Sequence, residues 1–91
     1  MYTPFPTKQY KKSFKKLKRS GKFNEIELNK AIDILCKGEK LGPIYQDHAL
    51  HGEYDGYREC HINGDVLLIY RIKEQKLVLV LFDIGTHAEL F

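Results

Sequence analysis

A chain of 91 residues makes one small domain, residues 1–91, with a thin core, because such a chain buries only about 60–65% of its unfolded surface. Hydrophobic content of 43% and charged content of 30% fit a soluble globular fold, no apolar run approaches the ~20 residues of a membrane span, and the start lacks an apolar signal segment, so the expected location is the cytoplasm. Net charge is +3, but Lys8, Lys11, Lys12, Lys15, Lys16, Lys18, Arg19 and Lys22 put eight of the fifteen basic residues into one short segment without an acid. A block this basic suits a polyanion such as RNA or an acidic protein partner.

Pro4 and Pro6 frame a short extended start that only an edge strand can accommodate. Thr7 is placed to cap a helix whose Tyr10, Phe14 and Leu17 recur at i, i+4 and i+7, with lysines around them. Ser20-Gly21 ends it. Asn24, with Glu27 three residues on, resembles a capping box for a second helix carrying Leu28, Ala31, Ile32 and Leu35, and Gly38 stops it. The pair reads as a helical hairpin. A loop then runs from Leu41-Gly42-Pro43 through Asp47 and His48 to Gly56.

Three strand candidates follow: Tyr57 to Ile62, Asp65 to Ile72 and Lys76 to Ile84, with Asn63-Gly64 as a strong hairpin signal. The expected architecture is α+β, a helical hairpin packed on a twisted antiparallel β-sheet. A two-residue turn at Asn63-Gly64 places His61 opposite Val66, and a turn centred on Glu74-Gln75 places Val66 opposite Asp83. In that register Leu67, Ile69, Arg71, Val78, Val80, Phe82 and Ile84 share the face that suits a helix-covered core.

All four histidines lie between Asp47 and Phe91, and His87 follows a glycine in the tail Gly85-Thr86-His87-Ala88-Glu89-Leu90-Phe91. Histidine titrates near neutral pH, so a cluster of His48, His61 and His87 with Asp65 suits proton transfer. Two rivals are weaker. His48-x-x-His51 and His61-x-x-x-Asp65 have ligand-like spacing but match no strong zinc signature, so no metal or other cofactor is expected. Cys60 neighbours His61, but adjacent strand residues point to opposite faces, which argues against a cysteine nucleophile. No glycine-rich phosphate loop is present. A positive helix beside histidines fits metal-free cleavage of RNA. The 2′-OH is the nucleophile, one group removes its proton, another protonates the leaving 5′-oxygen, and cations hold the phosphate charge.

Four ordered blocks, Asp47-His48-Ala49-Leu50-His51-Gly52, Gly56-Tyr57-Arg58-Glu59-Cys60-His61-Ile62, Asp65-Val66-Leu67-Leu68-Ile69-Tyr70 and the Gly85 to Phe91 tail, resemble the YafQ branch of the RelE-type toxins. The resemblance covers nearly all of the second half. It implies a ribosome-dependent mRNA endonuclease, the toxin of a toxin–antitoxin pair, acting on mRNA at the ribosome and neutralised by a DinJ-like antitoxin. Carried over motif by motif, it marks His48, His61, Asp65, His87 and Phe91 as active-site positions and leaves His51 without support. His87 then serves as the acid and His48 or Asp65 as the base, with Phe91 available to stack on a base. Lys11, Lys12, Lys15, Lys16, Lys18, Arg19 and Arg58 are the expected RNA contacts. The chain departs from that family at Val66, where the family has an aromatic, and at Asp83, where it has an arginine. Arg58, Arg71 or a lysine would then supply the missing positive charge. The alternative is a non-catalytic domain of the same fold that binds RNA or protein, which would not need the histidine cluster.

Overall fold

Thr7 and Asn24 start the two helices, as their side chains predict. In the computed structural model, which describes residues 1–21 and 23–91, Thr7 Oγ1 accepts from the Tyr10 N–H at 3.1 Å to cap α1 (Lys8–Ser20). Gly21 closes α1 at φ 74°, a left-handed conformation that glycine adopts without steric cost. Asn24 Oδ1 accepts from the Glu27 N–H at 3.2 Å to cap α2 (Glu25–Cys36). The expected reciprocal bond is replaced: the Asn24 N–H donates to Asn63 Oδ1 at 3.2 Å, tying the head of α2 to the sheet, while Glu27 pairs with Lys30. Lys22, part of the basic block, lies outside the described residues.

Five strands form one sheet: β1 (Thr3–Pro6), β2 (His48–Ala49), β3 (Arg58–Asn63), β4 (Val66–Lys73) and β5 (Val78–Thr86), in the order β1-β5-β4-β3-β2. β1 is an edge strand, as its prolines require, and it runs parallel to β5, with Thr3 opposite Val78 and Pro6 opposite Leu81. The other pairings are antiparallel, so the architecture is α+β. Both helices cover one face of the sheet, α1 over β5 and α2 over β3 and β1. Phe14 of α1 meets Phe23 edge-on, with ring centroids 5.5 Å apart, where the chain turns into α2.

The register differs from the expected one, and two bulges are the reason. At the first hairpin Gly64 and Asp65 form the turn, Asn63 pairs with Val66, and an irregularity after His61 sets His61 opposite Leu67 rather than Val66. At the second, a 3-10 turn over Glu74–Lys76 and a left-handed Leu77 (φ 54°) pair Lys73 with Val78. A bulge at Phe82 then pairs Ile69 with Asp83 but Tyr70 with Leu81, so Val66 faces Thr86 and not Asp83. The helix-covered core is therefore Cys60, Ile62, Val66, Leu68, Tyr70, Leu79, Leu81 and Ile84, packed on Tyr10, Leu17, Leu28, Ala31 and Leu35. Of the residues expected on that face, Ile84 is there. Leu67, Ile69, Arg71, Val78, Val80 and Phe82 belong to the opposite, helix-free face by register.

Candidate active site

The end of β5 bends directly into a single helical turn, α3 (His87–Leu90), and the local sequence dictates it. Thr86 and Glu89 form a reciprocal capping box. Glu89 Oε1 accepts from the Thr86 N–H at 2.9 Å and from its hydroxyl at 3.1 Å, and Thr86 Oγ1 accepts from the Glu89 N–H at 3.3 Å. A Cβ on Gly85 would stand 3.2 Å from Glu89 Oε1, so glycine leaves room for this closure. The backbone bond from Thr86 and the Lys16 ammonium, 3.2 Å away, hold the Glu89 carboxyl below the ordinary glutamate range. His87, the first residue of the turn, is exposed, and its ring centroid lies 5.3 Å from that of Phe91.

The register places the other candidates relative to this turn. Asp65 precedes Val66 and His87 follows Thr86, and Val66 faces Thr86, so Asp65 and His87 are the next residues outward at the same end of the sheet. Asp65 is exposed in the turn. His61 faces Leu67, which faces Gly85, so His61 stands one row inward on the helix-free face, half-buried. These three share one end of the sheet, with His61 on β3, two strand spacings from β5. His48 shares that face but lies on the outer strand β2, opposite Glu59, three strand spacings or about 14 Å from β5 at ~4.8 Å each. Its Nδ1 is 2.9 Å from the Gln46 carbonyl and its Nε2 is 3.4 Å from the Glu59 carboxylate, which is buried. His51 is exposed at the head of the Gly52–Tyr54 turn.

Arg58, expected among the RNA contacts, has the parity of the helix-covered face. Its Nε and Nη2 donate to Asp47 Oδ2 at 3.1 and 2.9 Å, and the Tyr70 hydroxyl donates to Asp47 Oδ1. Burial, then the Asp47 bond, pushes the Tyr70 hydroxyl well above its usual range. This trio pins the loop that leads to His48. Cys60 is fully buried on the same face, and burial pushes its thiol up to about 12, so it stays protonated at neutral pH and is no nucleophile. Asp83, where the resemblance implies an arginine, accepts from the Ile84 N–H at 2.8 Å and so satisfies a backbone donor beside the bulge.

The basic helix borders the site. A groove of about 710 Å³ lies between α1 and the junction of β5 with α3, lined by Lys8, Lys12, Lys16 and Arg19 on one side and by Asp83 and Glu89 on the other. Lys16 is engaged by Glu89 and Lys18 by Glu25. Lys11, Lys12, Lys15 and Arg19 are exposed and have no carboxylate partner among the described residues.

Sequence reasoning passed over two features. The Thr86-x-x-Glu89 spacing is a capping signature, legible in the chain but hidden in a segment too short to show periodicity. Tyr54, Tyr57 and Phe82 form a row of rings with Phe91 on the helix-free face, with neighbouring centroids 4.7–6.1 Å apart. They come from separate elements, so nothing local announces them.

Comparison with known proteins agrees with this fold. The family described as "Bacterial toxin of type II toxin-antitoxin system, YafQ" matches residues 2–91. The mRNA interferase toxin YafQ of Escherichia coli K12 is 42% identical over 52 residues, which are 56% of this chain and 53% of that protein, so the chain spans about half the length of the curated relatives it matches. A copper-bound mutant toxin from Helicobacter pylori superimposes with TM-score 0.92 at 43% identity, covering 100% of both chains. YafQ in the E. coli DinJ–YafQ complex does so with TM-score 0.85 at 28% identity, covering 100% of this chain and 99% of that one. Copper belongs to the Helicobacter structure, and no three His, Cys, Asp or Glu side chains converge to hold a metal among the described residues. The chain belongs to the YafQ family of type II toxin–antitoxin toxins.

Proposed function

We propose that this chain is an mRNA endonuclease that acts on the ribosome by metal-free attack of the RNA 2′-OH, working in the cytoplasm. The observation that carries the reading is the placement of His87 on a clamped, exposed turn beside the Asp65 turn, with His61 one row inward. Family membership and the mRNA interferase activity named for the E. coli relative support it.

In this mechanism Asp65, with His61 beside it, draws the proton from the 2′-OH. The 2′-oxygen attacks the adjacent phosphorus, the bond to the 5′-oxygen breaks, and His87 donates a proton to that leaving oxygen. The products are a 2′,3′-cyclic phosphate and a free 5′-hydroxyl, so charge and protons balance. Each proton transfer contributes roughly 10²–10⁴-fold. The strand spacing favours Asp65 over His48 as the base. His48, held by Glu59 and Gln46, contacts the RNA at the far side of the sheet, and Phe91 stacks on a base. The α1 cations hold flanking phosphates. A DinJ-like antitoxin neutralises the chain by covering this face, and the existence of a DinJ–YafQ complex for the E. coli relative supports such a partner.

The test is to map 5′ ends of mRNA on translating ribosomes with the wild-type chain and with His87→Ala. New ends that appear with the wild type and vanish with the variant support the reading. A wild-type map without new ends would leave a non-catalytic RNA-binding domain, and the same new ends with the variant would assign the acid to another group. Co-expression with an adjacent small gene should yield a stable complex, and failure to co-purify would count against the antitoxin.

A further inference from the structure

The rings on the helix-free face continue past the catalytic turn. From Phe91 the next centroid is Tyr54 at 5.7 Å, then Phe82 at 6.1 Å, then Tyr57 at 4.7 Å, and the Arg71 guanidinium carbon lies 5.6 Å from the Tyr57 centroid. Tyr54, Phe82 and Tyr57 are half-buried, whereas Phe91 is 55% exposed and Arg71 is exposed. The rings thus pack on one another, with Phe91 and Arg71 exposed at the two ends of the row.

Arg71 differs from Arg58 in one decisive respect. Asp47 occupies the guanidinium of Arg58, whereas no carboxylate pairs with Arg71 among the described residues. Arg71 rests instead on the Tyr57 ring and against Gly56, whose φ of +93° brings bare backbone to it. A guanidinium set over a ring, with no carboxylate bound, keeps N–H donors available for a phosphate. Along β4, Arg71 lies five residues from Val66, or about 16 Å at ~3.3 Å per residue. It is too far to touch the phosphate cleaved at His87, and is placed for a phosphate further along the same strand of RNA.

We infer that Tyr54, Tyr57 and Arg71 form a binding subsite for the nucleotides of single-stranded RNA that flank the cleaved bond, Tyr54 stacking on a base and Arg71, braced by Tyr57, holding a phosphate. This rests on the reading of the chain as an mRNA endonuclease. Stacking on rings accepts any base, so the subsite supplies affinity and alignment more than sequence choice.

The test uses a fluorescein-labelled six-nucleotide single-stranded RNA titrated onto the His87→Ala chain, which keeps the substrate uncut. Adding Tyr54→Leu is expected to weaken binding roughly 5- to 150-fold, the loss of one stacked base. Adding Arg71→Ala should weaken it and lower the salt slope by about 0.7, the value for one phosphate on a single strand. Arg71→Lys should keep that slope. In otherwise wild-type protein on translating ribosomes, Arg71→Ala should raise KM more than it lowers kcat. Melting temperatures verify the fold, and Arg71, being exposed, serves where Tyr54→Leu unfolds. Unchanged affinity and salt slope in Arg71→Ala would overturn the subsite even if the wild type cleaves mRNA. Loss of RNA binding in Arg71→Ala, with a wild type that leaves translated mRNA intact, would keep the subsite and remove the cleavage reading.

Discussion

Lys16 Nζ stands 3.2 Å from Glu89 Oε2, joining the basic helix to the turn that presents His87. α3 has four residues, and a helix that short does not hold itself together in water. Its conformation rests on the Thr86–Glu89 capping box and on this ion pair.

Glu89 has a lowered pKa in the folded chain, so its contribution to stability is complete above the ordinary value of 4.5 and is lost as the pH falls through the lowered native value. Glu89→Gln should cost about 1 kcal/mol or less at neutral pH, since the pair is exposed to solvent. The difference in melting temperature between the two proteins should shrink towards zero as the pH is lowered below 4.5. A difference that persists unchanged in acid would mean that the carboxylate charge plays no part in the clamp.

His87→Ala should leave the melting temperature within about 2–4 °C, because His87 is exposed and makes no core contact. Cleavage should fall by roughly 10²–10⁴-fold, the usual worth of a proton donor. Single-turnover cleavage on ribosome-bound mRNA measures it. A folded variant that cleaves as fast as the parent would assign the acid to another group.

Replacing Lys11, Lys12, Lys15 and Arg19 together with glutamine should weaken ribosome binding and flatten its dependence on salt, with a slope reduced by about 0.7–0.9 for each phosphate no longer neutralised. Binding measured between low and physiological salt decides it. An unchanged slope would leave these cations as a solvated helix face.

Phe91 is 55% exposed while its ring meets both His87 and Tyr54. Phe91→Leu keeps an apolar side chain and removes the flat ring. Cleavage should drop by an amount matching about 1–3 kcal/mol of stacking, with little change in melting temperature. A large loss of melting temperature would make the ring a support for Tyr54 instead.

Helix boundaries were legible because caps and periodicity are local. Thr7, Asn24, Gly21 and Gly38 each act within a few residues of their own position. The sheet faces were not. Val66, Leu67, Leu68, Ile69 and Tyr70 are all apolar and all buried, so β4 carries no alternation from which parity can be read. The two bulges that decide the parity leave no composition signal. The candidate histidines were legible by type, since the chemistry names the side chain. Their grouping was only partly so: the register sets Asp65, His61 and His87 at one end of the sheet, while His48 stands at the sheet's far edge because β3 and β4 lie between β2 and β5. Arg58 has the sign expected for an RNA contact, yet only the folded chain shows that Asp47 holds it.

The extra residue at Phe82 gives β5 one residue of slack that β4 lacks. Leu81 and Ile84, three apart, both point into the core, which strict alternation forbids. Deleting Phe82 leaves Leu81 inward, Asp83 outward and Ile84 inward in plain alternation, so every residue from Asp83 to His87 can keep its face and its partner on β4. Deleting Ile69 from β4 has no such escape, because Leu68 and Tyr70 would become neighbours that both need the core. The strand that leads into His87 can therefore be shortened by one residue without moving that histidine, at the expense of a ring that Tyr54 and Tyr57 lean on. The chain lacking Phe82 should fold, with a lower melting temperature, whereas the chain lacking Ile69 should not. Equal failure of both would show that the bulge itself, and not only the count of residues, is needed to shape the sheet.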